Sequence, residues 1–205
     1  MSVRRFLALI ALIAASACGG DSEGSGVDPR LARLDAYDAQ RQRVLGDPAM
    51  GVTGMPLTPE DAVPSTGQAD FTGAATIQIA QPETVLSLAG DATLTIAFDD
   101  LSASGSVTRI FGDTPDGGFA DYDGSLTLSG VADGAAFLLD YAGALTAGTD
   151  ALTFDGTLET VLLGNPIAGF SASELEALIE LAGGSLEGTV VIFGEGTVTQ
   201  PEPMP

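Results

Sequence analysis

The stretch that decides the fold is GDATLTIAFDDLSASGSVTRIFG, which runs from Gly90 to Gly112. Leu94, Ile96 and Phe98 alternate with small or polar residues, and the alternation resumes after a polar break. Apolar residues at every second position predict a half-buried strand, because successive side chains of a strand point to opposite faces. We therefore expect two antiparallel strands, 91–99 and 105–111, that form a β-hairpin.

The same alternation recurs along the chain beyond residue 69. Strands are predicted at 69–79, 119–131, 135–142, 151–163 and 185–199, and the run 84–88 is either a further strand or the lead-in to the hairpin. Seven or eight strands at intervals of about ten to fifteen residues are typical of antiparallel barrels and sandwiches. We expect a mainly β fold over residues 67–200, an antiparallel β-barrel of about eight strands.

A helix is predicted before the barrel. Asp28 and Pro29 open it, it covers Arg30 to Leu45, and Gly46 ends it. It carries four arginines, so it either docks onto the acidic barrel or lies on an anionic membrane surface. The apolar stripe of this helix is narrow and aspartates dilute its charge, which favours docking. A proline-rich linker completes the segment 29–66.

A second, short helix is predicted at 172–182, inserted before the last strand. Ser171 and Glu174 have the spacing of a capping box, and apolar residues then follow at helical spacing: Leu175, Leu178, Ile179 and Ala182.

The N-terminus has the features of an exported lipoprotein. Arg4 and Arg5 precede an apolar run that is too short to span a bilayer, and small residues follow it. The sequence Ala-Ser-Ala-Cys-Gly resembles the bacterial lipobox, which predicts a signal peptide at 1–17 and a lipidated Cys18 carrying palmitate or a similar acyl chain. The alternative is an ordinary cleavage site that leaves a free thiol. Residues 18–28 read as a flexible tether and 201–205 as a tail.

Composition excludes several classes of protein. The chain has 28 acidic residues, seven arginines and no lysine or histidine, for a net charge of −21. Such a surface repels nucleic acid and anionic lipid, so we expect no nucleic-acid partner. Without histidine there is no Ser-His-Asp or Cys-His catalytic arrangement and no imidazole ligand for zinc or haem.

Four aspartates form the densest group of possible ligands, and they lie in FGDTPDGGFADYDG: Asp113, Asp116, Asp121 and Asp123. Carboxylates in a glycine-rich loop are ligands that calcium accepts, although the spacing is not that of an EF-hand. The alternative is a solvated turn whose aspartates favour tight backbone geometry. No other cofactor is expected.

A pair of carboxylates and a group of aromatic residues each allow a functional as well as a structural interpretation. Asp121 and Asp140 are a conceivable acid and base for glycoside cleavage, but nothing in the pattern places them in one cleft, and we expect no enzymatic activity. The aromatic residues of this region are expected to pack in the core or at its rim rather than to bind a ligand: Phe119, Tyr122, Phe137 and Tyr141.

Two segments resemble a known family. ADFTGAATIQI at 69–79 and GDATLTIAFDDLSASGSV at 90–107, within a bacterial lipoprotein, resemble the β-barrel domain of the transferrin-binding protein B-like family. The resemblance covers roughly residues 69–111. It implies capture of a nutrient or host protein at the cell surface, since the family includes surface lipoproteins and secreted proteins that capture haem or metalloproteins. No binding residue of the family is carried over.

Together these features predict a lipid-anchored outer-membrane lipoprotein, because Gly19 rather than aspartate follows the cysteine. Its water-soluble barrel is expected to bind an unknown protein or small ligand, at the surface or in the periplasm. The alternative is a structural envelope lipoprotein without a ligand. An integral outer-membrane barrel is disfavoured, because aromatic residues are few and the chain ends in prolines.

Overall fold

A computed structural model describes residues 28–181 and 184–200. It contains eight long strands: β1 (Gln68–Ala80), β2 (Val85–Ala97), β3 (Ser102–Asp113), β4 (Asp123–Val131), β5 (Ala136–Ala147), β6 (Asp150–Leu163), β7 (Gly169–Leu181) and β8 (Gly184–Thr199). Each pairs in antiparallel fashion with the next in sequence, and β8 returns to β1. The β1–β8 ladder extends from Ile79 opposite Gly188 to Gln68 opposite Thr199. The prediction of an eight-stranded antiparallel barrel is therefore confirmed.

The barrel interior is filled by the inward half of each alternating strand. Large side chains that are less than 2% exposed include Phe71, Ile77, Leu94, Leu126, Tyr141, Phe154 and Phe170. The outward half of the same strands is largely polar, as in Thr153, Asp155 and Thr157 of β6. An eight-stranded barrel is just wide enough for side chains to fill it, so this core stabilises the fold by apolar burial.

Two predicted strand boundaries differ from the structure. The run 84–88 and the first hairpin strand form one continuous strand, β2, because inward-facing Leu86 and Leu88 continue its alternation. The predicted strand 119–131 is two strands, a short one at Phe119–Asp121 and β4, separated at Tyr122. The backbone N–H of Tyr122 donates to the carbonyl of Ile110 at 2.8 Å, while its side chain enters the core.

The predicted helix at 172–182 is wrong, because residues 169–181 form strand β7. Phe170 and Ala172 face inward before a β-bulge between Glu174 and Ala177, and Ala177 and Ile179 face inward after it. A bulge inserts one extra residue and shifts the alternation by one position. The apolar residues that suggested a helix therefore do not share one face: Leu175 and Leu178 are exposed by 63% and 62%, whereas Ile179 is buried.

The predicted first helix is present as α1 (Pro29–Val44). The side chain of Asp28 caps it by accepting from the backbone N–H of Arg30 at 2.9 Å. Its apolar stripe packs on the outside of the barrel, in a cluster of Tyr37, Val44, Ala74, Ala89, Phe111, Leu163 and Phe193. The helix thus docks onto the barrel, as the narrow stripe predicts.

The segment after α1 crosses one end of the barrel. Gly46–Asp47 and Val52–Thr53 pair as two very short strands, and a 3-10 turn occupies Glu60–Ala62. We call residues 54–67 the strap. One end of the barrel, which we call the strap end, contains the strap and the turns 98–101, 132–135 and 164–168. The opposite end, which we call the loop end, contains the turns 81–84, 114–122 and 148–149.

Candidate functional site

The N-terminal predictions lie outside the described residues. These are the signal peptide 1–17, Cys18, the tether up to residue 27 and the tail 201–205. The described chain begins at Asp28, which pairs with Arg30 at 2.7 Å. Hydrogen bonds from Arg30 lower the pKa of the Asp28 carboxyl. Arg30 also lies 3.8 Å from Asp121 in the 114–122 turn, so the first turn of α1 is at the loop end.

Three of the four aspartates predicted as calcium ligands contact other groups of the protein. A carboxylate oxygen of Asp113 accepts from a backbone N–H of β2 at 3.0 Å, and one of Asp116 accepts from the Thr114 hydroxyl at 2.5 Å. Asp121 pairs with the α1 arginine, and Asp123 begins β4. Within residues 28–181 and 184–200, no three histidine, cysteine or carboxylate side chains are grouped as a metal site requires. Asp113 and Asp116 thus make hydrogen bonds within and beside the turn, and Asp121 lies close to the first turn of α1.

The fold also places the carboxylate pair and the aromatic residues that the sequence singled out. Asp121 belongs to the loop-end turn, whereas Asp140 lies exposed in the middle of β5. Tyr122 and Tyr141 are buried in the core, which agrees with a packing role for the aromatic residues. Phe119 is 42% exposed, and the Arg30 guanidinium lies 4.7 Å from the centre of its ring.

A polar pair inside the barrel was missed by the sequence analysis. The phenol of buried Tyr141 donates to the carboxylate of Glu174 at 2.7 Å. Glu174 lies at the β7 bulge, where the β6–β7 pairing lapses between Ser173 and Ile179. Burial and the Glu174 carboxylate raise the pKa of Tyr141. Gly156 of β6 faces this pair, and a Cβ there would lie 2.7 Å from the Tyr141 hydroxyl. The pair fills the barrel rather than lining a cavity.

A second polar cluster joins α1 to the barrel wall. Asp91 of β2 accepts from the Tyr37 hydroxyl and pairs with Arg109, and it lies 3.5 Å from Arg33. The Arg33 guanidinium also lies 4.5 Å from the centre of the Phe111 ring. Burial, with the hydrogen bond to Asp91, raises the pKa of Tyr37 to about 12. These groups satisfy one another, so the cluster has a structural role.

The strap closes its end of the barrel through backbone hydrogen bonds and one carboxylate. Thr58 N–H donates to the carbonyl of Leu162 at 3.0 Å, and the Thr58 hydroxyl donates to the carbonyl of Gly164 at 2.8 Å. The Glu60 carboxylate accepts from the backbone N–H of Ala135 at 3.1 Å. Val63 packs against the interior core. The strap is thus a fixed part of the barrel end.

Two hollows lie at the strap end. One of about 390 Å³ is lined by Gly67, Gln68, Asp70, Ala97, Asp99, Thr199 and Gln200. The other, of about 220 Å³, lies between the strap and two turns, and is lined by residues that include Glu60, Val63, Phe98, Leu101, Ala132 and Asp133. The larger hollow is lined mostly by polar residues, whereas the smaller one combines apolar walls with carboxylates. The strap end is therefore the candidate site.

Exposed apolar side chains adjoin the smaller hollow. Leu101, Val131 and Leu138, which we call the strap-end patch, are exposed by 44%, 63% and 61%. The sequence signal for them is a break in alternation, since Phe137, Leu138 and Leu139 are consecutive apolar residues in β5. One member of any such run must point outward, because neighbouring side chains lie on opposite faces.

No protein-family model matches the chain, and no curated protein matches it. In the part of the chain that the structure describes, no helix has the length and apolar character needed to cross a membrane.

Proposed function

We propose that this chain is a lipid-anchored outer-membrane lipoprotein whose barrel is a binding module without enzymatic activity. The observation that carries the mode of binding is the filled interior: apolar side chains occupy the space that a small ligand takes in hollow barrels. A partner must then contact the outside. The resemblance of residues 69–111 to transferrin-binding protein B-like barrels favours a macromolecular partner, such as a nutrient-carrying or host protein.

The position of the first described residues gives the proposed orientation. Asp28 and Arg30 lie at the loop end, where Arg30 contacts Phe119 and Asp121. Cys18 precedes Asp28 by ten residues (28 − 18), which span at most about 35 Å. A lipid on Cys18 would attach the protein to the bilayer from its loop end, on a tether long enough to leave the strap end accessible to a partner. The polar outward faces of the strands suit a barrel that stands in water.

Metabolic labelling tests the anchor. Cells that express the full chain are grown with a clickable palmitate analogue, and we expect the label on the wild type and not on a Cys18→Ser variant. A mature wild-type protein that carries no acyl chain would overturn the anchored function.

Affinity capture tests the binding module. Residues 28–200 on a resin are expected to retain one partner in stoichiometric amount from envelope extract or host serum. Retention of none from either source would favour a structural envelope lipoprotein, for which the filled interior is equally suitable.

A further inference from the structure

The strap-end patch is a continuous apolar strip at the rim of the barrel. Gly130 pairs with Leu139, so the next residues of the two strands, Val131 and Leu138, lie side by side on the outer face. Val131 also pairs with Ser102, and the backbone N–H of Ala132 donates to the carbonyl of Leu101 at 2.8 Å. Three exposed large apolar residues are thus neighbours on a surface where the outward positions of the same strands otherwise carry serine, threonine, aspartate or alanine.

The backbone at Leu101 adds an independent observation. Leu101 has a φ of 57°, a left-handed conformation that glycine and asparagine adopt more readily than leucine. A leucine that is strained at this turn and 44% exposed does not serve the stability of the turn. Such outliers are typical of binding sites, where the side chain itself is required.

The smaller hollow supplies a place for an anchoring side chain. It shares Leu101 with the patch and has a volume of about 220 Å³. A cavity of roughly 150 Å³ accommodates a benzene ring, so this hollow has room for one leucine or phenylalanine side chain.

Carboxylates surround the patch and the hollow. Asp133 and Glu60 line the hollow, and Asp99 and Asp100 precede Leu101 in the 98–101 turn. The strap and the turns 98–101 and 132–135 contain no arginine or lysine. A second copy of this chain, with its own charge of −21, is repelled from such a rim, and so is an anionic membrane. Electrostatic complementarity favours a positively charged partner.

We propose that the strap-end patch docks a basic amphipathic segment of a protein partner. Apolar side chains of that segment pack on Val131 and Leu138 and enter the hollow beside Leu101, while its lysines or arginines face Asp133 and Asp99. This inference deepens the proposed binding module and rests on it.

A defined peptide tests the proposal by fluorescence anisotropy at physiological ionic strength. The probe is a short fluorescein-labelled peptide of alternating lysine and leucine, and the control peptide alternates lysine and serine. We expect the lysine-leucine peptide to bind the wild type more tightly. In the double variant V131T/L138T, its affinity is expected to fall about tenfold, which corresponds to about 1.4 kcal/mol, because part of the apolar surface that the peptide buries is lost.

The matched control is L175T/L178T, which removes two equally exposed leucines from the outer face of β7. Threonine suits a strand, so both double variants should keep the wild-type unfolding temperature. Equal affinities for the two peptides, or equal losses in the two double variants, would show only non-specific attraction to an acidic surface and would overturn the proposal. A wild-type dimer that V131T/L138T abolishes would also overturn it, because the occupant would be a second copy.

Failure of the site and failure of the module are distinguishable. A partner retained equally by wild-type and V131T/L138T resins would refute this site and leave the binding module intact. Stoichiometric capture that is lost only with V131T/L138T, together with the peptide result, supports both.

Discussion

Gly156 is the residue on which the interior of the barrel depends most directly. It faces inward from β6, and a Cβ there would meet the Glu174 carboxylate and lie 2.7 Å from the Tyr141 hydroxyl. Gly156→Ala should therefore destabilise the protein by about 1–3 kcal/mol in urea unfolding, as overpacking does. Gly184→Ala, where a Cβ meets nothing within 4 Å, should change stability by no more than about 0.5 kcal/mol. Equal effects of the two changes would contradict a filled interior.

The three tyrosines of the chain give a pH dependence whose sign is determined by burial. Burial raises the pKa of Tyr37 and of Tyr122 to about 12, and it also raises that of Tyr141. A raised pKa favours the neutral phenol in the folded state, so this stability is complete below the ordinary value of about 10 and is lost as the pH rises towards 12.

A spectroscopic titration checks this pH dependence, and the lack of tryptophan simplifies it. At a pH of about 10.5 we expect little tyrosinate absorbance in the native protein. In guanidinium at the same pH, we expect about half or more of the absorbance increase that complete ionisation of the tyrosines produces. Titration of a phenol near its ordinary pKa in the native protein would show that the corresponding tyrosine is not buried.

Strand β7 is the element that distinguishes this structure from the one expected from sequence. Leu178 and Ile179 are neighbours in the chain, but one is 62% exposed and the other fully buried. Leu178→Lys should change the free energy of unfolding by about 0.5 kcal/mol or less, whereas Ile179→Lys should prevent folding because it buries a charge. Circular dichroism and urea unfolding measure both. In a helix with both residues on its apolar face, both changes would be severe.

The reason for the error at β7 is physical. Ser171, Glu174 and the spacing of the later apolar residues satisfy local helix signals, but Leu175 and Leu178 are exposed leucines whose positions reflect no common buried face. Local propensity also yields to tertiary pairing, since β7 completes hydrogen-bond ladders with β6 and β8 that a helix would leave open. A bulge depends on partners distant in sequence, and a single sequence does not specify them.

Helix α1 is the element whose stability is separable from that of the barrel. Tyr37 supplies its largest buried side chain and its hydrogen bond to Asp91. Tyr37→Ala should increase amide hydrogen exchange in α1 roughly 100-fold and leave β4 to β6 protected, because the loss of a buried aromatic is confined to this contact. Asp35→Ala on the exposed face is the control. Equal protection of α1 in both variants would contradict the docked helix.

For the whole molecule, the alternation from residue 69 onward predicted the antiparallel β class and most of the strands. The number eight was reached through two compensating errors, because the run 84–88 belongs to β2 and the predicted second helix is strand β7. The candidate site was harder to predict from sequence, because the strap-end patch combines residues from one turn and two strands that only the paired sheet brings together. Leu138 within a run of three apolar residues was the one local sign of it. The aspartate loop had a stronger composition signal, yet its carboxylates are engaged with the protein itself.

Closure of the sheet between β1 and β8 is the claim on which the filled interior, the strap end and the proposed docking surface all depend. Isotope-labelled protein covering residues 28–200 allows nuclear Overhauser effects across this ladder to be measured directly. The structure predicts cross-strand contacts that link Thr76 with Val191 and Gly73 with Gly194. Absence of these contacts, with fast amide exchange along β1 and β8 as in free edge strands, would contradict the account.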